Sequence, residues 1–447
     1  MTMKPQPPLD PDFTPLFSVY TTLREEAARA QETVPVHLAC VRDGGDCDTF
    51  SMDFAAPLTA TALRFCERVV KFMLWASGGH EICVSAPDAL TRHIAEAYSP
   101  RGARAFDCET MATAYGRPLT VRATGDMPRP QARVQPLGGH LDGCRLGFDL
   151  GASDFKISAV KDGETVFADE IPWTPVTATD PDYHYSQLQA GLEKAAAHLP
   201  RVDAIGGSSA GIIVENQIKI ASLIRGIPEA ARPTAQRLFK RVQEAWRVPL
   251  EVANDGDVTA LAGALSLKRN GILGIAMGSS EAAGYINTEG QITGRLNELA
   301  FAPVDFNPGA AQDEWSGDNG VGAMYFSQQA VNHLALTAGF TFPADMPLPE
   351  RLKAVQAAMA GGDPAAARIY ETIGVYLGYA VPWYRLFYDF GAILLLGRVT
   401  SGRGGDIIIE TARQILQTLG CDADLMMPDE KSRRVGQCVA AASLPRL

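Results

Sequence analysis

Closely spaced cysteines are missing from this 447-residue sequence: none of its eight forms a C-x-x-C pair, and none falls between Cys144 and Cys421. Thiolate zinc sites need paired ligands close in sequence, so no cysteine cluster is expected to bind metal. Cys40, Cys47, Cys66, Cys83, Cys108, Cys144, Cys421 and Cys438 read instead as thiols in a reducing compartment. Basic charge is in deficit, with 40 Lys and Arg against 51 Asp and Glu, a net charge of -11. That balance argues against a nucleic acid or an anionic membrane as the main partner, because both attract clustered cations. No apolar run reaches the roughly 18 residues that would suggest a membrane span. The opening "MTMKPQPPLDPDFTPLF" has no charged start leading into an apolar segment, so a cytoplasmic location is expected.

What is present looks ordinary for a globular chain: 46% hydrophobic and 20% charged residues. The length implies two or three domains of about 150 residues each. After an extended Pro-rich start, "VPVHLACV" and "TFSMDF" read as strands, "TATALRFCERVVKFMLWAS" as a helix, and "HEICVSA" with "PDALTRHIAEAYSP" as a further strand and helix. The stretch "GDMPRPQARVQPLGGHLDG" is rich in residues that fix or free the backbone, which places a domain boundary there. Beyond it, strands and helices interleave to the end, so the fold class is α/β. The expected division is an accessory α/β domain at 1–140, a first lobe at 141–252 rejoined by a last helix near 430–447, and a second lobe at 253–429.

Four segments carry residues suited to chemistry. In "FDLGAS", Asp149 ends a buried strand and is followed by Gly151, Ala152 and Ser153; backbone amides beside a carboxylate suit phosphate oxygens and a hydrated Mg2+. Turn formation alone would equally explain it. "VANDGDVTALAG" places Asn254, Asp255 and Asp257 at a helix start. One such residue is an ordinary cap, but three exceed what a cap requires, and an Asp beside a hydroxyl is the base that phosphoryl transfer uses. "GSSEAAG" follows the strand "ILGIAM", and its small residues Gly278, Ser279 and Ser280 allow a phosphate to approach the backbone. "GAILLLGRVTSGRGGD" is a buried strand running into a Gly-rich turn at Gly397. The "WYRLFY" cluster reads as core packing.

The order of these segments is that of the two-lobed actin-like ATPase (ribonuclease H-like) fold. From about Cys144 onward the chain resembles the ROK family of repressors, open reading frames and sugar kinases. "GFDLGASDFKISAV" is similar to its first phosphate motif, "VANDGDVTALAG" to its E-N-D-A-N-A-A-A-L-G-E segment, and "TGRLNELAFAPVD" to G-A-A-G-E-L-G-H-M-P-V-D. "SGDNGVGAMYFS" resembles C-G-x-x-G-C-L-E-x-Y-x-S, and "VGQCVAAA" the family's last helix. The resemblance implies ATP and Mg2+ as cofactors, a small-molecule sugar substrate and a homodimer. It puts Asp255 on the catalytic base, Asn254 and Glu298 on sugar ligands, and Asp149 on the Mg2+ site through water. Gly151, Ala152, Ser153, Gly278, Ser279, Ser280 and Gly397 fall on nucleotide and phosphate positions.

Departures from the family pattern imply a second outcome. Phe301 stands where a histidine binds zinc and sugar, and Ser316 and Val321 where zinc cysteines would be, so no zinc is expected. Trp315, Val321, Met324, Tyr325 and Phe326 would form an apolar replacement core. Ala323 and Leu223 replace sugar-contacting Glu and Asn, and Arg398 replaces a glycine near the adenosine. Ser280, Ala282 and Ala283 replace loop glycines, and Glu281 is added. A carboxylate about 4 Å from a triphosphate would cost roughly 1 to 4 kcal/mol. The expected function is therefore ATP-dependent phosphorylation of a sugar-like hydroxyl, with a weak or inactive sugar-sensing protein as the alternative. A DNA-binding repressor fits less well, since residues 1–140 show no basic recognition helix.

Overall fold

Asp162 and Gly163 adopt positive φ, 50° and 84°, and join the strands Asp154–Lys161 and Glu164–Pro172. An Asp-Gly pair tolerates this geometry, which matches the twist of the flanking strands. The hairpin belongs to a five-stranded sheet in a computed structural model that describes residues 5–131, 137–151, 154–427 and 430–447. The chain divides into two compact units, each assembled from separated stretches. One comprises Val134–Gly274, Gly284–Gly294 and Pro428–Leu447, and the other Met1–Arg133, Ile275–Ala283 and Arg295–Met427. They are called the Asp149 unit and the Glu298 unit.

In the Asp149 unit the sheet runs Leu250–Asn254, Ala204–Ser209, Cys144–Leu150, Asp154–Lys161, Glu164–Pro172. The first three strands are parallel and the rest antiparallel. Leu146, Phe148, Ile157 and Ile205 pack one face against Leu188, Leu192, Phe239 and Val242 of the helices Tyr183–Ala196 and Leu238–Trp246. The helix Glu430–Ala442 covers the other face, so close that a Cβ at Gly206 would collide with the Ala441 carbonyl. The register sets Asp149 beside Ser208 and Asn254 beside Ser209, which aligns the carboxyl ends of the three parallel strands. Ligands of open α/β sheets bind at such ends.

In the Glu298 unit the N-terminal sheet runs Cys47–Ala55, Thr33–Val41, Glu81–Ser85, Thr120–Ala123. Its register pairs Val36 with Met52 and Leu38 with Val84. The helix Ala60–Ser77 is buried along nearly all its length, capped by Thr59 accepting from the Ala62 amide. Phe72 meets Trp383 at 5.3 Å and Phe387 at 4.4 Å, at the end of the buried helix Pro364–Tyr384, so the "WYRLFY" cluster is core. The N-terminal α/β region is thus built into this unit. A second sheet orders, within this unit, residues 281–283, 275–277, Ala392–Leu396 and Asp424–Met426.

The start of the chain differs from expectation. Leu16–Arg29 is a helix preceded by Pro15, and only Leu16 and Leu23 of it are buried. Its Val and Thr residues and weak apolar stripe hid it in the sequence. The residues before it lie along the Pro364–Tyr384 helix: the Leu9 amide donates to Thr372 Oγ1 (3.2 Å), and Tyr376 Oη donates to Asp10 (2.7 Å). Among the described residues no helix is long and apolar enough to cross a membrane.

Candidate functional site

Asp149 ends its strand nearly buried, 7% exposed. Its Oδ1 accepts from Ser208 Oγ at 2.7 Å and from Gln437 Nε2 at 3.3 Å, while Lys156 Nζ stands 3.6 Å from Oδ2. Burial still pushes its carboxyl above the ordinary range, against the lowering effect of Ser208 and Lys156. Gly151 closes the hairpin: its amide donates to the Asp154 carbonyl (3.0 Å) and its carbonyl accepts from Trp173 Nε1 (2.8 Å). Ala152 and Ser153 lie outside the described residues.

Asn254 caps the helix Asp255–Leu267, accepting from the Gly256 amide at 2.8 Å and donating through Nδ2 to the Gly211 carbonyl at 2.9 Å. Both ends of this side chain are therefore engaged by backbone. Asp257 accepts from the Tyr285 amide (3.0 Å), a structural role. Asp255 is partly buried and accepts from the Gly256 amide at 2.9 Å. Its carboxyl is pushed up to about 6 by burial and then by the charge of Asp149. Burial raises both carboxyls, and the charge of Asp149 adds to the effect at Asp255, a setting that favours a divalent cation or a retained proton. Among the described residues no group of three or more His, Cys, Asp or Glu is arranged to hold a metal. A Mg2+ that keeps most of its waters needs only one or two carboxylates, and this pair fits it.

In the Glu298 unit, Gly397 takes φ 97° and approaches so close to the Met277 carbonyl that any Cβ would collide with it. Gly397 thus lies against the residue that leads into Gly278–Ser280. Within that loop the Gly278 amide donates to Ser280 O (3.0 Å), and the Gln328 amide donates to Gly278 O (2.9 Å). Ser279 and Ser280 are exposed, as is Arg398. Glu298 is partly buried, its amide donating to the Trp75 carbonyl at 2.9 Å. Beside it Asn297, at φ 53°, donates its amide to the Ala76 carbonyl (3.0 Å) and accepts from Tyr388 Oη (2.9 Å). The end of the N-terminal Ala60–Ser77 helix therefore positions the Glu298 backbone.

Glu281 faces neither solvent nor the exposed side of its loop. It begins the strand Glu281–Ile286, is 4% exposed, and neither carboxyl oxygen has a hydrogen-bond partner. The expected clash with a triphosphate gives way to a different problem, a carboxyl enclosed in the interior.

The segment around the missing zinc residues is also built differently from expectation. Trp315 is 63% exposed and does not belong to a core, whereas Val321, Tyr325 and Phe326 are buried. Phe301 packs on Trp75 at 4.5 Å and Phe106 at 5.5 Å. Charge does the rest: Asp318 meets Arg68 (2.6 Å), Arg104 (2.7 Å) and Lys71 (3.2 Å). Lys71 also binds Asp107 (2.8 Å), and Arg104 binds Glu67 (2.5 Å). Burial works to raise Asp318, but Arg68, Lys71 and Arg104 outweigh it and hold the carboxyl far below its ordinary range. Leu223 sits in the core of the Asp149 unit, packed with its apolar cluster.

Sequence reasoning missed Ser208, Gln437 and Lys156 around Asp149. The paired serines of "GGSSAG" at a strand end were a usable signal, since parallel strands of one sheet end at one level. Gln437 and the Asp318 partners lie hundreds of positions away and give no local signal.

No protein-family model matches the sequence, and no curated protein matches it either. Solved structures do. A ROK hexokinase from Thermus thermophilus is similar at TM-score 0.53 and 20% identity, over 67% of this chain and 97% of that one. A ROK family glucokinase from Streptomyces griseus, in complex with glucose and AMPPNP, is similar at 0.50 and 18%, over 68% and 99%. A ROK family transcriptional regulator, a homologue of the E. coli MLC protein, is similar at 0.50 and 20%, over 67% and 78%. The chain thus shares the fold of these structures, the actin-like ATPase fold.

Proposed function

We propose that this protein transfers the γ-phosphoryl group of ATP to a hydroxyl of a sugar or sugar-like ligand, with Asp255 as the general base. The observation that carries this reading is the raised carboxyl of Asp255 beside Asp149. A base works best when its pKa approaches the working pH, and about 6 is far better placed than an ordinary aspartate. Asp255 would accept the acceptor's hydroxyl proton as its oxygen attacks phosphorus. Asn254, fixed by Gly256 and Gly211, sets the first turn that orients Asp255. Glu298 would bind acceptor hydroxyls, and Gly151, Ala152 and Ser153, together with the turns at Gly278–Ser280 and Gly397, would receive the nucleotide phosphates. Asp149, held by Ser208 and Gln437, would retain a Mg2+ through water. Such an ion supplies charge neutralisation on the transferring phosphoryl group.

Removing the base should lower phosphoryl transfer by about 100- to 10,000-fold in Asp255→Asn. Full activity in that variant would overturn the assignment. A second reading, a sugar sensor with little or no catalysis, is favoured by one observation: the helix Ala60–Ser77 holds the Asn297 and Glu298 amides through the Ala76 and Trp75 carbonyls. Calorimetric titration with Mg-ATP separates the two, since a sensor that lost its nucleotide site binds none at millimolar concentration.

A further inference from the structure

Glu281 directly follows Ser280, the residue whose carbonyl closes the Gly278–Ser280 loop by accepting the Gly278 amide at 3.0 Å. The side chain turns the other way, into the interior. There the turn Gly322–Met324 passes so close that a Cβ at Gly322 would collide with both Glu281 Oε2 and the Leu299 carbonyl. The carboxyl thus occupies the space that Gly322 leaves by having no side chain, close to a carbonyl oxygen that can only accept. The titratable groups that face it are Glu298 and Tyr384, and the buried Tyr384 hydroxyl also lacks a partner.

An ionised Glu281 would be an acceptor beside an acceptor and an anion beside an anion, with no donor satisfying either oxygen. A neutral acid has one O–H to donate toward the Leu299 carbonyl or the Tyr384 oxygen. We propose that Glu281 is a positioning residue that holds the Gly278–Ser280 loop in its nucleotide-receiving form only as the neutral, protonated acid, and that its ionisation expels the side chain and dismantles the loop. This rests on the reading of that loop as a phosphate site. Burial, and then the charge of Glu298, push the carboxyl up to about 8, so the neutral form prevails at neutral pH and is lost under alkaline conditions. The carboxylate that looked hostile to nucleotide in the sequence becomes a proton-dependent support for it.

The test uses the full chain, with Mg2+ and a non-hydrolysable ATP analogue titrated calorimetrically from pH 6.5 to 9.5. If only the protonated form binds, wild-type affinity falls about 30-fold between pH 7 and 9.5, while Glu281→Gln, a neutral mimic, stays nearly flat. Parallel pH profiles for the two proteins overturn the proposal. Infrared spectroscopy of the wild-type protein supplies a readout independent of nucleotide and of any variant's folding. A protonated carboxylic-acid band that persists above pH 7 and titrates near pH 8 is expected; its absence at pH 7 overturns the proposal. If the analogue binds at no pH, the nucleotide reading fails on its own. The infrared band, with faster amide exchange at residues 278–284 above pH 8 after correction for intrinsic rates, then decides whether Glu281 holds the loop.

Discussion

Asp255 and Glu281 are both carboxyls raised by burial, yet their surroundings give them opposite uses. Asp255 is partly exposed and lifted further by Asp149, which would suit the proposed role of base near neutrality; Glu281 is enclosed and lifted by Glu298. Because Asp255 must be deprotonated to accept a proton, kcat/KM should rise with pH through about 6, rather than near the usual aspartate value. Replacing Asp149 by Asn removes one of the two raising causes, so the Asp255 titration, followed by carboxyl NMR, should move to lower pH. At Gly322 a methyl group would displace the Glu281 carboxyl and strike the Leu299 carbonyl. Gly322→Ala should therefore destabilise the protein by about 1 to 3 kcal/mol in urea unfolding.

Between elements, the Ala60–Ser77 helix grips the loop around Asp318 with buried charges. Asp318 compensates Arg68, Lys71 and Arg104 together. Asp318→Asn leaves the buried Arg68 without its carboxylate, while Lys71 keeps Asp107 and Arg104 keeps Glu67; it should cost about 3 to 5 kcal/mol, measured by urea unfolding at neutral pH. The pH dependence has a definite sign. Asp318 and Glu67 are held below their ordinary range, against burial, by their cationic neighbours. Their contribution is therefore complete above the ordinary carboxylate pKa and is lost as pH falls toward the depressed folded-state values. Thermal unfolding midpoints should drop steeply below about pH 4, and the drop should be shallower in Asp318→Asn. Because ion pairs hold this loop, a chelator should leave the unfolding midpoint unchanged.

For the whole molecule, residues 5–131 are structural material for the Glu298 unit. Phe65 and Phe72 pack against Trp383, and Trp75 against Phe301. A chain starting after residue 131 should expose these rings and fail to give soluble, cooperatively unfolding protein, as circular dichroism melting would report. Much of the fold was legible: alternation marked Thr33–Val41 and Cys47–Ala55, and the apolar run "GAILLLG" marked Ala392–Leu396. The order Asp149, Asn254-Asp255, Gly278–Ser280, Glu298 is that of the actin-like ATPase fold, so the fold too was legible. The Leu16–Arg29 helix was not legible, since only two of its residues are buried and its apolar stripe is thin.

By itself the sequence determined the elements, their order and the residue types at the strand ends, because periodicity, turn chemistry and capping are local. Tertiary structure alone decided what those residues face. Asp318 finds Arg68 across 250 positions, and Glu281 turns inward because a distant glycine leaves room for it. Burial and charge neighbours arise from long-range packing, and those two quantities set the proton affinities on which Asp255 and Glu281 depend.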